Sequence, residues 1–223
     1  MTRTASERQK FLIPGPAGRL EAMLECPRDT APRANAVVCH PHPLYQGTLN
    51  NKVAFTLARA AVEAGAAALR FNFRGVGASE GTWDGGHGEA EDLRAAEQWL
   101  ANRFPGLQRW RLGFSFGAAM VIKVSLAEPC AILVTVAPPV KNFGDYGLPG
   151  GAPRAACWLL VQGDADEVVN PQTVFEWARG LEPVPELQVI AGAGHFFHGR
   201  LRELRERVLA VLVPGRTTEE KEN

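Results

Sequence analysis

From Ala36 onward the chain alternates compact apolar runs with stretches of helical spacing, and few architectures accept that order. Residues 36–39, 67–73, 110–112, 131–136, 157–161 and 187–190 are short, apolar and bounded by glycine, proline or polar turns, the pattern of buried strands. Between and after them lie helix candidates at 51–64, 89–102, 117–126, 171–179 and 197–211. In the first, Val53, Leu57, Ala60 and Ala61 share a face and Gly65 supplies the stop. A strand, a crossover helix and a parallel strand form the repeating unit of a mainly parallel sheet with helices on both faces. Ahead of this region, Phe11-Leu12-Ile13, a Pro/Gly turn through Gly18, and then Leu20, Met23 and Leu24 predict two short antiparallel strands at one edge.

The 223 residues, 46% of them apolar, suffice for one continuous core. The expected unit is a single domain over 10–213, with 1–9 and the charged segment 214–223 as flexible ends. Lys and Arg number 24, as do Asp and Glu, so no charge excess favours nucleic acid or an anionic membrane surface. The apolar run after the polar first ten residues stops at Pro14, too short for a signal-peptide core, and no apolar segment is long enough to span a bilayer. A cytosolic protein acting on a small neutral molecule is therefore expected, and nothing in the chain sets an oligomeric state. Cys26, Cys39, Cys130 and Cys157 are scattered without metal-site or disulfide spacing and read as buried apolar residues.

In an open parallel sheet, ligands bind beyond the carboxyl ends of the strands, so chemistry belongs in the loops that follow them. The pattern G-x-S-x-G occurs there twice, around Ser79 and around Ser115. A nucleophile elbow needs a strand entering a sharp turn and a helix leaving at once. Ser115 has both: 110–112 precede it and the apolar helix 117–126 follows, expected beneath the sheet's edge. Ser79 is followed by Thr82-Trp83-Asp84-Gly85-Gly86, which cannot start a helix promptly, and reads as a loop serine.

A serine hydroxyl needs a base, and histidine is the natural one near neutral pH. Of the five histidines, His195 sits in Ala191-Gly192-Ala193-Gly194-His195, just beyond the last expected strand; His198 is expected to enter the final helix. The imidazole in turn needs a carboxylate, and the loop after 157–161 offers Asp164, Asp166 and Glu167. The chain order serine, acid, histidine is that of α/β hydrolases.

Gly113-Phe114-Ser115-Phe116-Gly117, Gln162-Gly163-x-x-Asp166-x-Val168-Val169 and Gly194-His195-Phe196 resemble the three signature loops of the α/β-hydrolase superfamily, over roughly residues 11–213. The resemblance implies an α/β-hydrolase fold: a mainly parallel sheet, helices on both faces and an antiparallel N-terminal edge. It also selects Asp166 as the acid. The segment 138–153, where such proteins carry a lid, is short, so a minimal lid or none is expected.

The oxyanion needs two N–H donors. One is expected from Phe116, after the nucleophile, and the other from His40-Pro41-His42-Pro43-Leu44-Tyr45. That stretch departs from the family's commoner H-G form and is similar to one in a group of small bacterial α/β hydrolases. The prolines have no N–H, which leaves His42, Leu44 or Tyr45, with motif position favouring His42 or Leu44.

The expected activity is hydrolysis of a small-molecule ester or other acyl substrate through an acyl-enzyme, with no cofactor and no metal. A thioesterase or peptidase with the same triad, a lyase or acyl transferase, and a non-hydrolytic binding protein on the same fold are its rivals. His40-x-His42 lacks a nearby Asp or Cys to complete a metal site. Gly75-x-Gly77 is turn chemistry rather than a phosphate loop. Tyr45, Trp83, Phe143 and Tyr146 either line an acyl pocket or pack against the domain. Asp84, Glu89, Glu91 and Asp92 read as acids complementing a helix N-terminus.

Overall fold

A computed structural model describes residues 6–148 and 150–213, and its backbone is built around one eight-stranded sheet. The strands are β1 (Ser6–Gly15), β2 (Gly18–Pro27), β3 (Ala34–Cys39), β4 (Ala66–Phe71), β5 (Gln108–Phe114), β6 (Cys130–Val136), β7 (Ala155–Gly163) and β8 (Glu186–Ile190). Their order is β1-β2-β4-β3-β5-β6-β7-β8. β1 pairs antiparallel with β2 and β2 with β4, while every pairing from β4 to β8 is parallel. The first strand starts at Ser6, ahead of the expected domain start at residue 10, because its ladder with β2 continues to Pro27. The remaining residues expected to be flexible, 1–5 and 214–223, lie outside the described residues.

Among the described residues five helices cover the sheet: α1 (Lys52–Glu63), α2 (Gly88–Arg103), α3 (Phe116–Ala127), α4 (Pro171–Arg179) and α5 (Leu201–Leu212). Successive strand residues face opposite ways, and this alternation divides the core. Val38 joins α1 and α5 on one face, through Leu57, Ala61, Leu204 and Val208. Its neighbour Val37 joins α2, α3 and α4 on the other, through Leu93, Met120, Val121 and Val174. α3 lies under the central strands β3, β5 and β6, not beneath an edge as expected, which is why nearly every side of it is apolar. Asn51 caps α1 by accepting the N–H groups of Val53 and Ala54.

Three further expectations are corrected. The last helix begins at Leu201, not Phe197, because Phe197 has φ 52° and Gly199 φ 72°, neither compatible with a helix start; His198 is thus an exposed turn residue. Glu89 and Glu91 do lie in the first turn of α2, Glu91 exposed and Glu89 fully buried, whereas Asp92 is fully buried beyond that turn. Glu89 accepts the N–H groups of Asp84 and Gly86, and Asp92 forms a forked pair with Arg74, so both organise the 74–88 loop. Of the cysteines, Cys39 and Cys130 are buried and Cys26 and Cys157 half-buried. Between β6 and β7 the only regular structure among the described residues is the 3-10 turn Val140–Asn142. No described helix is long and apolar enough to cross a membrane.

Candidate active site

β5 delivers Phe114 to the middle of the sheet's carboxyl rim, and α3 starts two residues later at Phe116. Ser115 makes the turn with φ 53° and ψ −119°, a conformation that costs about 1–3 kcal/mol for a residue with a Cβ and persists only where its surroundings enforce it. They do so here through the two motif glycines. A Cβ on Gly113 would stand 2.3 Å from the Gly117 carbonyl oxygen, and one on Gly117 the same distance from the Cys39 carbonyl oxygen. Strand, helix and the end of β3 are therefore drawn closer than any other residue allows. The Ser115 N–H bonds Val136 of the neighbouring strand at 2.8 Å.

Ser79 occupies a different setting. Its hydroxyl donates to the Asn72 carbonyl at 2.7 Å and accepts the Glu21 N–H at 2.9 Å, so it ties the 74–81 loop to β2.

The His195 imidazole reaches Ser115 with Nε2 3.1 Å from Oγ, and its Nδ1 is 2.9 Å from Asp166 Oδ2. Asp166 is fixed in turn: Oδ1 accepts the N–H groups of Val168 and Val169 at 2.9 and 2.7 Å, and Oδ2 also accepts Gln162 Nε2–H at 3.0 Å. Burial works against its charge, but the hydrogen bonds from His195, Val169 and Val168 outweigh it and hold the carboxyl below its ordinary value. With Asp166 ionised, Nδ1 carries the proton and Nε2 presents its lone pair to the serine.

The other two carboxylates of that loop have separate partners. Asp164 accepts the Gly192 N–H at 2.6 Å and Glu167 accepts the His195 N–H at 3.1 Å, so both brace the main chain of the histidine loop. Gln162, named above only as the first residue of the acid loop's motif, has a role that the motif did not state; the available signal was a polar residue inside the otherwise apolar, fully buried end of β7.

At the end of β3, the Leu44 N–H donates to His42 Nδ1 at 3.2 Å and the Tyr45 N–H to the His42 carbonyl at 3.1 Å. Among the described residues no internal hydrogen bond occupies the backbone N–H of His42 or of Phe116. Burial lowers the His42 pKa, in keeping with a neutral ring whose Nδ1 accepts. His40 is fully buried and burial pulls it down to about 4. Both its nitrogens are engaged, with Pro41 O and the Phe73 N–H, so His40 and His42 do not form a pair that shares a cation.

Aromatic rings gather on the His42 side: Trp83, Tyr45, Phe116 and Tyr146 lie with centroids 4.6, 4.7, 5.2 and 6.1 Å from its ring. Phe143 packs instead on Trp177, 5.2 Å away. Lys123 donates to the carbonyls of Gly86 and Tyr146 and so joins the two loops that carry this wall. Across the serine, Phe114 and Phe196 flank His195 at 4.9 and 5.1 Å. Leu44, Tyr45, Val168 and Phe196, on the loops after β3, β7 and β8, are all exposed apolar side chains.

Comparison with known proteins places the chain in a family. Residues 17–174 match the model of the X-Pro dipeptidyl-peptidase (S15) family. The chain is 35% identical over 207 residues to the uncharacterized protein RP471 of Rickettsia prowazekii, covering 89% of this chain and 86% of the relative. Among solved structures, an α/β serine hydrolase homologue from Coxiella burnetii shares 44% identity over 92% of this chain and 97% of its own, with a TM-score of 0.86. XC6422 from Xanthomonas campestris, described as an α/β serine hydrolase without a lid, shares 36% over 97% and 99%, with a TM-score of 0.85. The chain belongs to the S15 family as that model delimits it, and with it to the α/β-hydrolase superfamily of serine hydrolases.

Proposed function

We propose that this protein is a carboxylesterase-like serine hydrolase in which Ser115 is the nucleophile, His195 the general base and Asp166 the residue that orients the imidazole. The observation carrying this reading is the 3.1 Å contact from His195 Nε2 to Ser115 Oγ, on a serine held at positive φ. As Oγ attacks the ester carbonyl carbon, its proton passes to Nε2 and the carbonyl π electrons move to oxygen. The N–H groups of Phe116 and His42 receive that oxyanion, in keeping with their lack of an internal acceptor; Leu44, the alternative donor, already serves His42 Nδ1. Collapse expels the alcohol, which takes the proton from Nε2. Water then repeats the sequence on the acyl-serine, releasing the acid and returning the proton to Oγ. Every proton and electron pair in this cycle is carried by these residues, the substrate and water.

The apolar rim favours a neutral substrate with apolar substituents. The family match supports a second reading, a peptidase with the same triad. A dipeptidyl-peptidase must hold a charged amino terminus, and Asp164, Asp166 and Glu167 are all engaged with loop N–H groups or the imidazole, which favours the ester. The test is turnover of p-nitrophenyl acetate and butyrate, an acyl thioester and an Xaa-Pro p-nitroanilide. Ser115→Ala should abolish ester hydrolysis and labelling by a fluorophosphonate. Unchanged turnover in that variant would overturn the assignment, and preferential cleavage of the anilide would replace the esterase with the peptidase.

A further inference from the structure

His40 is a fully buried histidine with no place in the catalytic cycle, and it links the Pro41 carbonyl of the oxyanion loop to the Phe73 N–H beyond β4. We propose that His40 is a positioning residue: by holding the Pro41 carbonyl it fixes the Pro41–His42 peptide with the His42 N–H directed at the oxyanion. The inference rests on the hydrolase reading above and names a residue that makes that site competent.

A neutral imidazole has one donor nitrogen and one acceptor. The Phe73 backbone N–H donates to His40 Nε2 at 3.1 Å, so Nε2 holds the lone pair and Nδ1 the hydrogen. Nδ1 then donates to the Pro41 carbonyl oxygen at 2.6 Å. The Pro41–His42 bond is trans, and in a trans peptide the C=O and the N–H point in opposite directions. Anchoring the carbonyl on the buried imidazole therefore turns the His42 N–H away from the core. The next peptide is held separately, since the His42 carbonyl accepts the N–H groups of Tyr45 and Gly47, both at 3.1 Å. Gly47 is required there: a Cβ on it would stand 2.0 Å from the Pro41 oxygen. The loop also lies beside the nucleophile, because a Cβ on Gly117 would meet the His40 carbonyl oxygen at 2.6 Å. With proline at 41 and 43, few loop N–H groups exist, and the orientation of one peptide decides whether the second donor is present.

His40→Leu removes both hydrogen bonds; His40→Asn retains a donor near the Nδ1 position and loses the acceptor for Phe73. Active sites are counted by burst titration, so that loss of folded protein does not enter kcat. His40→Leu should lower kcat about 100-fold or more, the cost of one oxyanion donor, with KM within about threefold. His40→Asn should recover most of that kcat even if its Tm stays low. A trifluoromethyl ketone, whose adduct with Ser115 carries the oxyanion, should lose affinity in parallel with kcat/KM. Crystal structures of both variants report the peptide directly: rotated or disordered in His40→Leu, retained in His40→Asn. An unrotated peptide in His40→Leu, or a kcat per titrated site equal to wild type, overturns the inference. If wild-type protein has no Ser115-dependent turnover, the hydrolase reading fails, and the crystal structures still decide the role of His40 in holding the loop.

Discussion

Glu167 accepts the backbone N–H of His195 at 3.1 Å, while the adjacent Asp166 takes the imidazole of the same residue at 2.9 Å. One loop thus grips one histidine by main chain and side chain together. Ser115 is fixed by a strand behind it and a helix ahead of it, whereas His195 sits in a turn between β8 and α5 with no regular element of its own. Its alignment with the serine rests on the carboxylates of the 164–167 loop.

Glu167→Ala should therefore cost catalysis more than stability. Displacement of the histidine by a fraction of an ångström is expected to lower kcat about 10- to 100-fold. KM and Tm should move little, since the Glu167 side chain lies at the surface. Steady-state kinetics on p-nitrophenyl butyrate beside a thermal melt would check this; equal losses in Tm and activity would mean a general loosening.

Asp166→Asn acts on the proton instead of the position. An amide can offer its N–H to Nδ1 and so stabilise the tautomer with the proton on Nε2, the wrong one for accepting the serine proton. A fall in kcat of about 10³–10⁴ is expected with the fold retained. Burst kinetics would place the loss in acylation and deacylation alike, because the proposed cycle uses His195 in both.

The element types and the serine loop were legible because each is written locally. Val53, Leu57 and Ala61 announce α1 by spacing, and Gly113 and Gly117 announce an elbow because close backbone approach has a residue signature. What was not legible depends on partners distant in the chain. Glu89 and Asp92 look in the sequence like acids complementing a helix N-terminus, and only Arg74 and the 84–86 amides packed over them make them buried anchors. The proposal of His42 over Leu44 as a donor rests on which N–H is already engaged, a fact of loop geometry. The false start of the last helix at Phe197 has the same origin: an apolar residue at helical spacing was placed in the left-handed region by the demands of the histidine loop.

Gly117→Ala tests the elbow without touching any reacting group. The added methyl cannot coexist with the Cys39 carbonyl at 2.3 Å, so α3 must move away from β3. A loss of about 1–3 kcal/mol in urea unfolding is expected. Fluorophosphonate labelling at 25 °C should fall with it, because the Phe116 N–H moves with the helix.

Below α3, the Arg111 guanidinium is fully buried and forked onto Glu97 at 2.6 and 2.9 Å. Arg111→Met would strand the Glu97 carboxylate in the core, leaving it, among the described residues, the half-exposed Arg109 at 3.6 Å. The expected cost is about 3–5 kcal/mol. Adding Glu97→Leu should restore most of it, since the penalty belongs to the unpaired charge and not to the absence of the pair. Chemical denaturation of the two variants separates these, and a double variant no more stable than the single one would show that the pair itself is the stabilising element.

His40 gives the fold an acid sensitivity whose sign follows from its burial. In the folded protein its pKa is pulled to about 4, against an ordinary value of 6.5. Between those values the unfolded chain binds a proton that the folded chain refuses, so the stability present above pH 6.5 is lost progressively as the pH falls toward 4. A difference of this size corresponds to about 3 kcal/mol. Asp166, held below its ordinary value, also destabilises the fold on acidification, but chiefly at lower pH. Subtracting the unfolding free energy of His40→Asn from that of wild type at each pH isolates the histidine. The margin of wild type over the variant should shrink by about 3 kcal/mol between pH 6.5 and pH 4. A constant margin would mean that the imidazole is protonated in the native state, and the Phe73 N–H would then have no lone pair to receive it.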